Sequence, residues 1–143
     1  MVTAGPAVGV GGVVLRGSTE VLLVKRGHPP GEGMWSLPGG KVHHGEALRD
    51  AVAREMLEET SLRVEVGPLI EVVEIMREGF HYVVLDYLCT IAPPAQEPRA
   101  ASDASDLAWV PVDRLAEVGA TPALIRVVAR AMAMLDETVA KSG

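Results

Sequence analysis

The chain has 143 residues, 48% of them hydrophobic and 22% charged, with a formal net charge of −6 and one cysteine. That is enough for a single domain with a proper core, too apolar for a disordered segment, and too acidic for a non-specific binder of nucleic acid or membrane. The lone thiol, Cys89, excludes an intramolecular disulfide framework and points to a reducing cytoplasm.

The opening is uncharged and glycine-rich, with neither the basic leader of a signal peptide nor the length to span a bilayer. Residues 7–15 (AVGVGGVVL) and 20–25 (EVLLVK) are valine-rich runs around a short turn, a strand-turn-strand pattern. Residues 28–33 (HPPGEG) predict a surface loop, and 34–37 a short strand leading into Gly39-Gly40. A helix is expected from about Gly45 or Glu46, with Leu48, Val52 and Met56 recurring on one face beside Ala51. Residues 63–76 make one strand interrupted at Gly67-Pro68, 77–79 a turn, and 80–91 (FHYVVLDYLCTI) a long strand. Residues 92–105 read as a mobile loop by composition, followed by a strand at 107–110 and a brief helix at 113–118. Thr121 and Pro122 then cap and start a closing helix to about Ala140, with Leu124, Val128, Ala131, Met132 and Leu135 on its apolar face. Strands, helix, strands and a last helix make an α/β domain with a mixed sheet flanked by helices.

The chemistry is concentrated in the first helix. Glu55, Glu58 and Glu59 stand at i, i+3 and i+4, so their carboxylates share one face, and no Lys or Arg lies between Glu55 and Ser61 to relieve them. An acidic helix face alone is more often solvated surface. This one follows a glycine loop able to approach a ligand closely, and oxygen-only ligands suit a hard divalent cation, Mg²⁺ or Mn²⁺. An acidic protein acting on phosphates needs such a cation to bridge the two.

The segment 40–62 resembles the box of the Nudix hydrolases: Gly40, five residues, Glu46, seven residues, then Arg54-Glu55-Met56-Leu57-Glu58-Glu59, Thr60, Ser61 and Leu62. Every charged position matches, and Ser61 stands where the family has Gly. The resemblance implies an α/β/α sandwich across the single domain. It implies hydrolysis of compounds in which a nucleoside diphosphate is linked to another group, a nucleotide-type small-molecule substrate, and metal held by Glu55, Glu58 and Glu59 with the Gly40 carbonyl. Arg54 carries a structural role: eight residues from Glu46, it lies about 80° around an ideal helix from it, within pairing reach.

The general base is either Glu55 or an acid of the late loop, where Glu97 and Asp103 stand about level and Asp106 is a third choice. Arg26 and Lys41 are candidates for phosphate contact, with Arg77 weaker and Gly39 beside them in the loop. His43 and His44 read as exposed loop residues, Cys89 as a small buried apolar residue, and Trp35 and Trp109 as packing or base-stacking groups. A complete set of box carboxylates favours an enzyme over a nucleotide-sensing module of the same fold. The run Trp109 to Asp113 and the late acidic loop favour an ADP-ribose-like substrate, whereas GMWSLPGG upstream of the box looks similar to nucleoside-triphosphate pyrophosphatases. Relatives are often dimers, which leaves a homodimer open.

Overall fold

The computed structural model describes residues 5–101 and 104–142. Strands β1 (Ala7–Arg16), β2 (Glu20–Arg26), β3 (Trp35–Ser36) and β4 (Gly39–Lys41) precede helix α1 (Leu48–Thr60). Strands β5 (Val64–Arg77), β6 (Phe80–Ile91) and β7 (Ala104–Pro111) follow, then a 3-10 helix (Val112–Val118) and helix α2 (Pro122–Ser142). The sheet runs β3-β2-β1-β6-β5, with β4 pairing β1 and β7 pairing β2. Only the β1–β6 pair is parallel among these, so the sheet is mixed, as expected.

Alternation along the strands divides the core in two. On one face Val10 and Val14 of β1, Leu22 of β2, and Tyr87 and Cys89 of β6 pack against Ala51, Val52 and Met56 of α1. On the other, Val13, Val21, Leu23, Val73 and Leu88 meet Leu124, Val127, Val128 and Ala131 of α2. A helix on each side of a mixed sheet is the three-layer sandwich.

Three local features depart from expectation. Helix α1 begins at Leu48, one turn later, because Glu46 closes a turn with His43: each backbone N–H is bonded by the other residue, at 3.0 Å in both cases. As expected, β5 is one strand interrupted at Gly67-Pro68, which it absorbs in register shifts while pairing with β6 on both sides. On α2, Val127 and Met134 belong to the core cluster and Met132 does not. Finally, the segment at 92–101 is tethered rather than loose. The Gln96 side chain bonds Arg63 and Pro93, while the amides of Arg99 and Ala101 donate to the carbonyls of Thr60 and Glu59 at the end of α1. These are the orphan carbonyls of a helix terminus, and the segment satisfies them. Strand β7 consequently starts at Ala104, earlier than the Leu107 expected.

Candidate active site

A cavity of about 800 Å³ opens on the α2 face of the sheet. Its floor is β1 and β6, where Phe80, Tyr82, Val84 and Asp86 alternate onto the same side. The loop between β2 and β3 forms one wall, pinned to the β5–β6 turn by the Gly31 amide, which donates to Glu78 at 2.9 Å. The first turn of α2 forms another, with Thr121 accepting from the Leu124 amide at 3.1 Å. The β4 glycine pair closes the remaining side, and across it Glu55 and Glu59 of α1 reach the cavity.

The box side chains are organised by Arg54. Its Nε and Nη2 grip Glu46 at 2.7 and 2.9 Å, a bidentate pair, and Nη2 also donates to the Lys41 carbonyl at 3.0 Å. Its Nη1 donates to Glu55 at 2.8 Å and Glu58 at 3.2 Å. One guanidinium therefore ties the turn, the glycine strand and the helix together. Arg54 holds the Glu46 carboxyl down to about 2. Glu55 goes the other way: burial raises it, and Arg54 only partly offsets that. Glu59 accepts from the Gly39 amide at 2.8 Å, which fixes it beside the glycine strand. At Gly40 a Cβ would run into the Glu55 carboxylate, so glycine lets that carboxylate lie against the strand where it is. Among the described residues no three His, Cys, Asp or Glu side chains already converge as a cage. The groups able to hold a hard cation are the three α1 carboxylates and the adjacent Gly40 carbonyl.

The structure brings together Glu55, Glu59, Gly39, Gly40, Arg26, Lys41 and Arg77 around one cavity. The Arg26 Nε is committed to the Pro30 carbonyl at 2.7 Å, the Lys41 Nζ lies 5.8 Å from the Tyr82 ring, and Arg77 rests on the Met34 sulfur at 2.9 Å. Glu58 is not part of the cavity lining; its side chain is 47% exposed and meets Arg54 at 3.2 Å. Glu97 is exposed on the tethered segment and Asp106 lies on β7, both away from the cavity lining. Asp103 falls outside the described residues. Of the histidines in the loop before α1, His43 borders the cavity and His44 does not. Trp35 is in the wall, whereas Trp109 carries the Arg16 guanidinium 4.4 Å from its ring. Cys89 is buried, with its thiol pushed up to about 12 by desolvation, which keeps it inert.

Sequence reasoning missed Asp86, Tyr82 and Phe80. Asp86 did leave a signal, being the single acid in a mostly apolar twelve-residue strand.

The NUDIX domain model matches residues 5–131. The chain belongs to the Nudix family. A crystal structure of a MutT Nudix hydrolase from Burkholderia pseudomallei superposes with a TM-score of 0.77 at 33% identity, covering 89% of this chain and 98% of that one. A Mycobacterium tuberculosis protein provisionally named 8-oxo-dGTP diphosphatase 2 is 38% identical over 118 residues, 73% of this chain and 81% of that protein. An ADP-ribose pyrophosphatase of Methanocaldococcus jannaschii is 43% identical over 67 residues, 47% of this chain and 39% of its own length. With a Nudix domain and relatives named as hydrolases, this protein is a Nudix pyrophosphohydrolase. Among the described residues no helix is long and apolar enough to cross a membrane.

Proposed function

We propose that this Nudix protein hydrolyses the diphosphate of ADP-ribose-like compounds with the help of a divalent cation, Mg²⁺ or Mn²⁺, held by Glu55, Glu58, Glu59 and the Gly40 carbonyl. The observation that carries this reading is one cavity with box carboxylates at one side, Arg26, Lys41 and Arg77 around it, and Trp35, Tyr82 and Phe80 in its lining. Its volume of about 800 Å³ lies within the range of roughly 300–1,000 Å³ typical of small-molecule sites. The donor set fits a hard cation: it is all oxygen, and Glu55 keeps a raised pKa beside Arg54, so its charge is undercompensated. When bound, such an ion neutralises charge on the phosphate oxygens and acidifies water.

The chain's own residues do the rest. Arg54 sets the loop against the helix, and the Gly39 amide orients Glu59. Lys41, Arg26 and Arg77 attract the diphosphate, and the aromatic side chains offer faces to a base. Glu55, half-buried and reluctant to ionise, has the environment of a general base, which favours it over Glu97, exposed away from the cavity. Asp103 stays open as the alternative base. A cytoplasmic setting suits a single buried thiol.

A second reading, hydrolysis of nucleoside triphosphates including oxidised ones, is favoured by the Mycobacterium tuberculosis relative, whose match extends over 81% of its length. The test is a panel in Mg²⁺: ADP-ribose, the (deoxy)nucleoside triphosphates, 8-oxo-dGTP, dinucleoside polyphosphates and NADH. AMP from ADP-ribose supports the first reading; pyrophosphate from triphosphates supports the second; no turnover on any of them removes both.

A further inference from the structure

The floor of the cavity carries a carboxyl that neither the box nor the loops account for. Asp86 is 5% exposed, on the middle strand pair of the sheet, and it lines the cavity. It is in register with Gly11 of β1, which is in turn in register with Gly39 of β4. Three strands at about 4.8 Å spacing put Asp86 roughly 10 Å from Gly39, whose amide holds Glu59. Asp86 thus sits in the same cross-strand row as the glycine that holds a box carboxylate.

Gly11 is what lets it be there: a Cβ at that position would strike the Asp86 carboxyl. No buried side-chain oxygen or nitrogen among the described residues lacks a partner, and no hydrogen bond contributes to the electrostatics of Asp86. Its small residual exposure is therefore at the carboxyl, opening into the cavity. A buried polar group left to face a cavity is expected to be satisfied by what fills that cavity.

We propose that Asp86 is a specificity-determining residue, whose carboxyl donates a hydrogen bond to a phosphoryl oxygen of the bound substrate. This rests on the diphosphate reading above, because a substrate with no phosphate in this row gives the carboxyl nothing to meet. The charged neighbours favour the protonated, donating form. Glu71 faces it from β5 and is itself paired with Arg126 and Arg130 of α2, and of these charges it is Glu71 that acts on Asp86. From β1 and β4 come only Gly11 and Gly39. Glu55 and Glu59 of α1 add negative charge to the same cavity, and the cations Lys41 and Arg26 lie elsewhere in its lining. Burial first, and Glu71 second, push the carboxyl up to about 7.

The experiment compares wild type with Asp86→Asn, which keeps an N–H donor and cannot ionise, and Asp86→Leu, which keeps the volume without the donor. The probe is the α,β-methylene analogue of ADP-ribose in Mg²⁺, read by calorimetry at pH 6.0 and 8.5; circular dichroism verifies the fold. The ratio of wild-type to Asn affinity cancels titration elsewhere in the site. The expected result is at least tenfold weaker binding by the Leu variant at pH 6.0. The Asn variant should lie within threefold of wild type at pH 6.0 and bind about tenfold tighter than it at pH 8.5. The same pattern is expected in KM for whichever panel compound is hydrolysed, with kcat within threefold. If that compound is a triphosphate, the ADP-ribose reading falls while Asp86 is still decided by KM. A Leu variant that binds as tightly as wild type, or a wild-type to Asn ratio unmoved by pH, overturns the proposal. Absence of both binding and turnover in wild type overturns the proposal together with the functional reading.

Discussion

Carboxyls of the helix and of the sheet, Glu55 and Asp86, line the cavity, and the protein gives them different neighbours. Around α1, Glu46, Glu55 and Glu58 share the Arg54 guanidinium, which draws the Glu46 carboxyl down to about 2. On the sheet, Asp86 has only another acid, Glu71, for a charged neighbour, and burial raises it to about 7. The first group is tied to one guanidinium, which suits it to hold a cation. Asp86 is held protonated up to about pH 7, which suits it to donate a hydrogen bond to an oxygen. Residue type alone does not separate these tasks; the nearest cation and the depth of burial do.

The largest way to break the contrast is to remove charge from the helix. Glu58→Gln should lower kcat by on the order of 10³-fold in Mg²⁺, with the melting temperature nearly unchanged because its side chain is 47% exposed. Chelation of the metal should abolish wild-type turnover and be reversed by adding Mg²⁺. Near-normal kcat in the Gln variant would place the cation elsewhere.

Removing charge from the sheet should act on stability instead, and with the opposite sign. Asp86 moves from an ordinary 3.8 to about 7 in the folded protein. The folded state therefore binds more protons than the unfolded one between those values. Its stabilising contribution is complete below pH 4, declines as pH rises, and is gone above 7. Asp86→Asn should thus stabilise the protein by on the order of 3 kcal/mol at pH 8 and by little at pH 4. Parallel thermal melts at the two pH values check this. An Asn variant equally shifted at both would mean that Asp86 is not held neutral.

Arg54 tests the other half. Arg54→Ala strips partners from Glu46, Glu55 and Glu58 at a side chain only 22% exposed, and should cost about 2 kcal/mol. Lys should not restore it, because the bidentate fork on Glu46 and the bond to the Lys41 carbonyl need the guanidinium plane. The acid side provides an independent readout. Glu46 contributes stability above its ordinary 4.5 that is lost as pH falls toward 2, so in Arg54→Ala the acid transition should move up in pH. A Lys variant with a wild-type melting temperature would reduce Arg54 to a point charge.

Local spacing explains what could be read in advance. The α1 stripe, the Glu46–Arg54 pairing, the β5–β6 turn at Glu78-Gly79 and the Thr121 cap depend on residues within about eight positions of one another, where periodicity and turn chemistry act directly. The cavity does not. It exists because Gly9 and Gly11 of β1 fall beside Val84 and Asp86 of β6, a parallel register about 75 positions apart in the chain that no local pattern specifies. The same holds for the segment at 92–101: its proline and alanine content reads as loose chain, yet it is tied down by carbonyls of α1 left over at the helix end. Asp86 was legible in principle, since an acid inside a long apolar strand needs a reason, but its purpose emerges only with its neighbours.

The smallest predicted effect sits at that same helix end. Ser61 takes the left-handed conformation, φ 63° and ψ 12°, as C-cap of α1, with its amide donating to Leu57 at 3.0 Å. A side chain in that region costs about 1 kcal/mol relative to glycine. Against this stands one exposed bond, the Ser61 Oγ donating to the Arg99 carbonyl at 3.3 Å, which helps hold the 92–101 segment. A long exposed bond is worth less than the backbone strain, so Ser61→Gly should gain roughly 0.5–1 kcal/mol, or about 2–4 °C. Ser61→Ala removes the bond and keeps the strain, and should melt slightly below wild type. The two variants together separate the terms by calorimetry. If Gly and Ala fall equally below wild type, the tether to Arg99 outweighs the cap, and the late segment contributes more to the end of α1 than its exposure suggests.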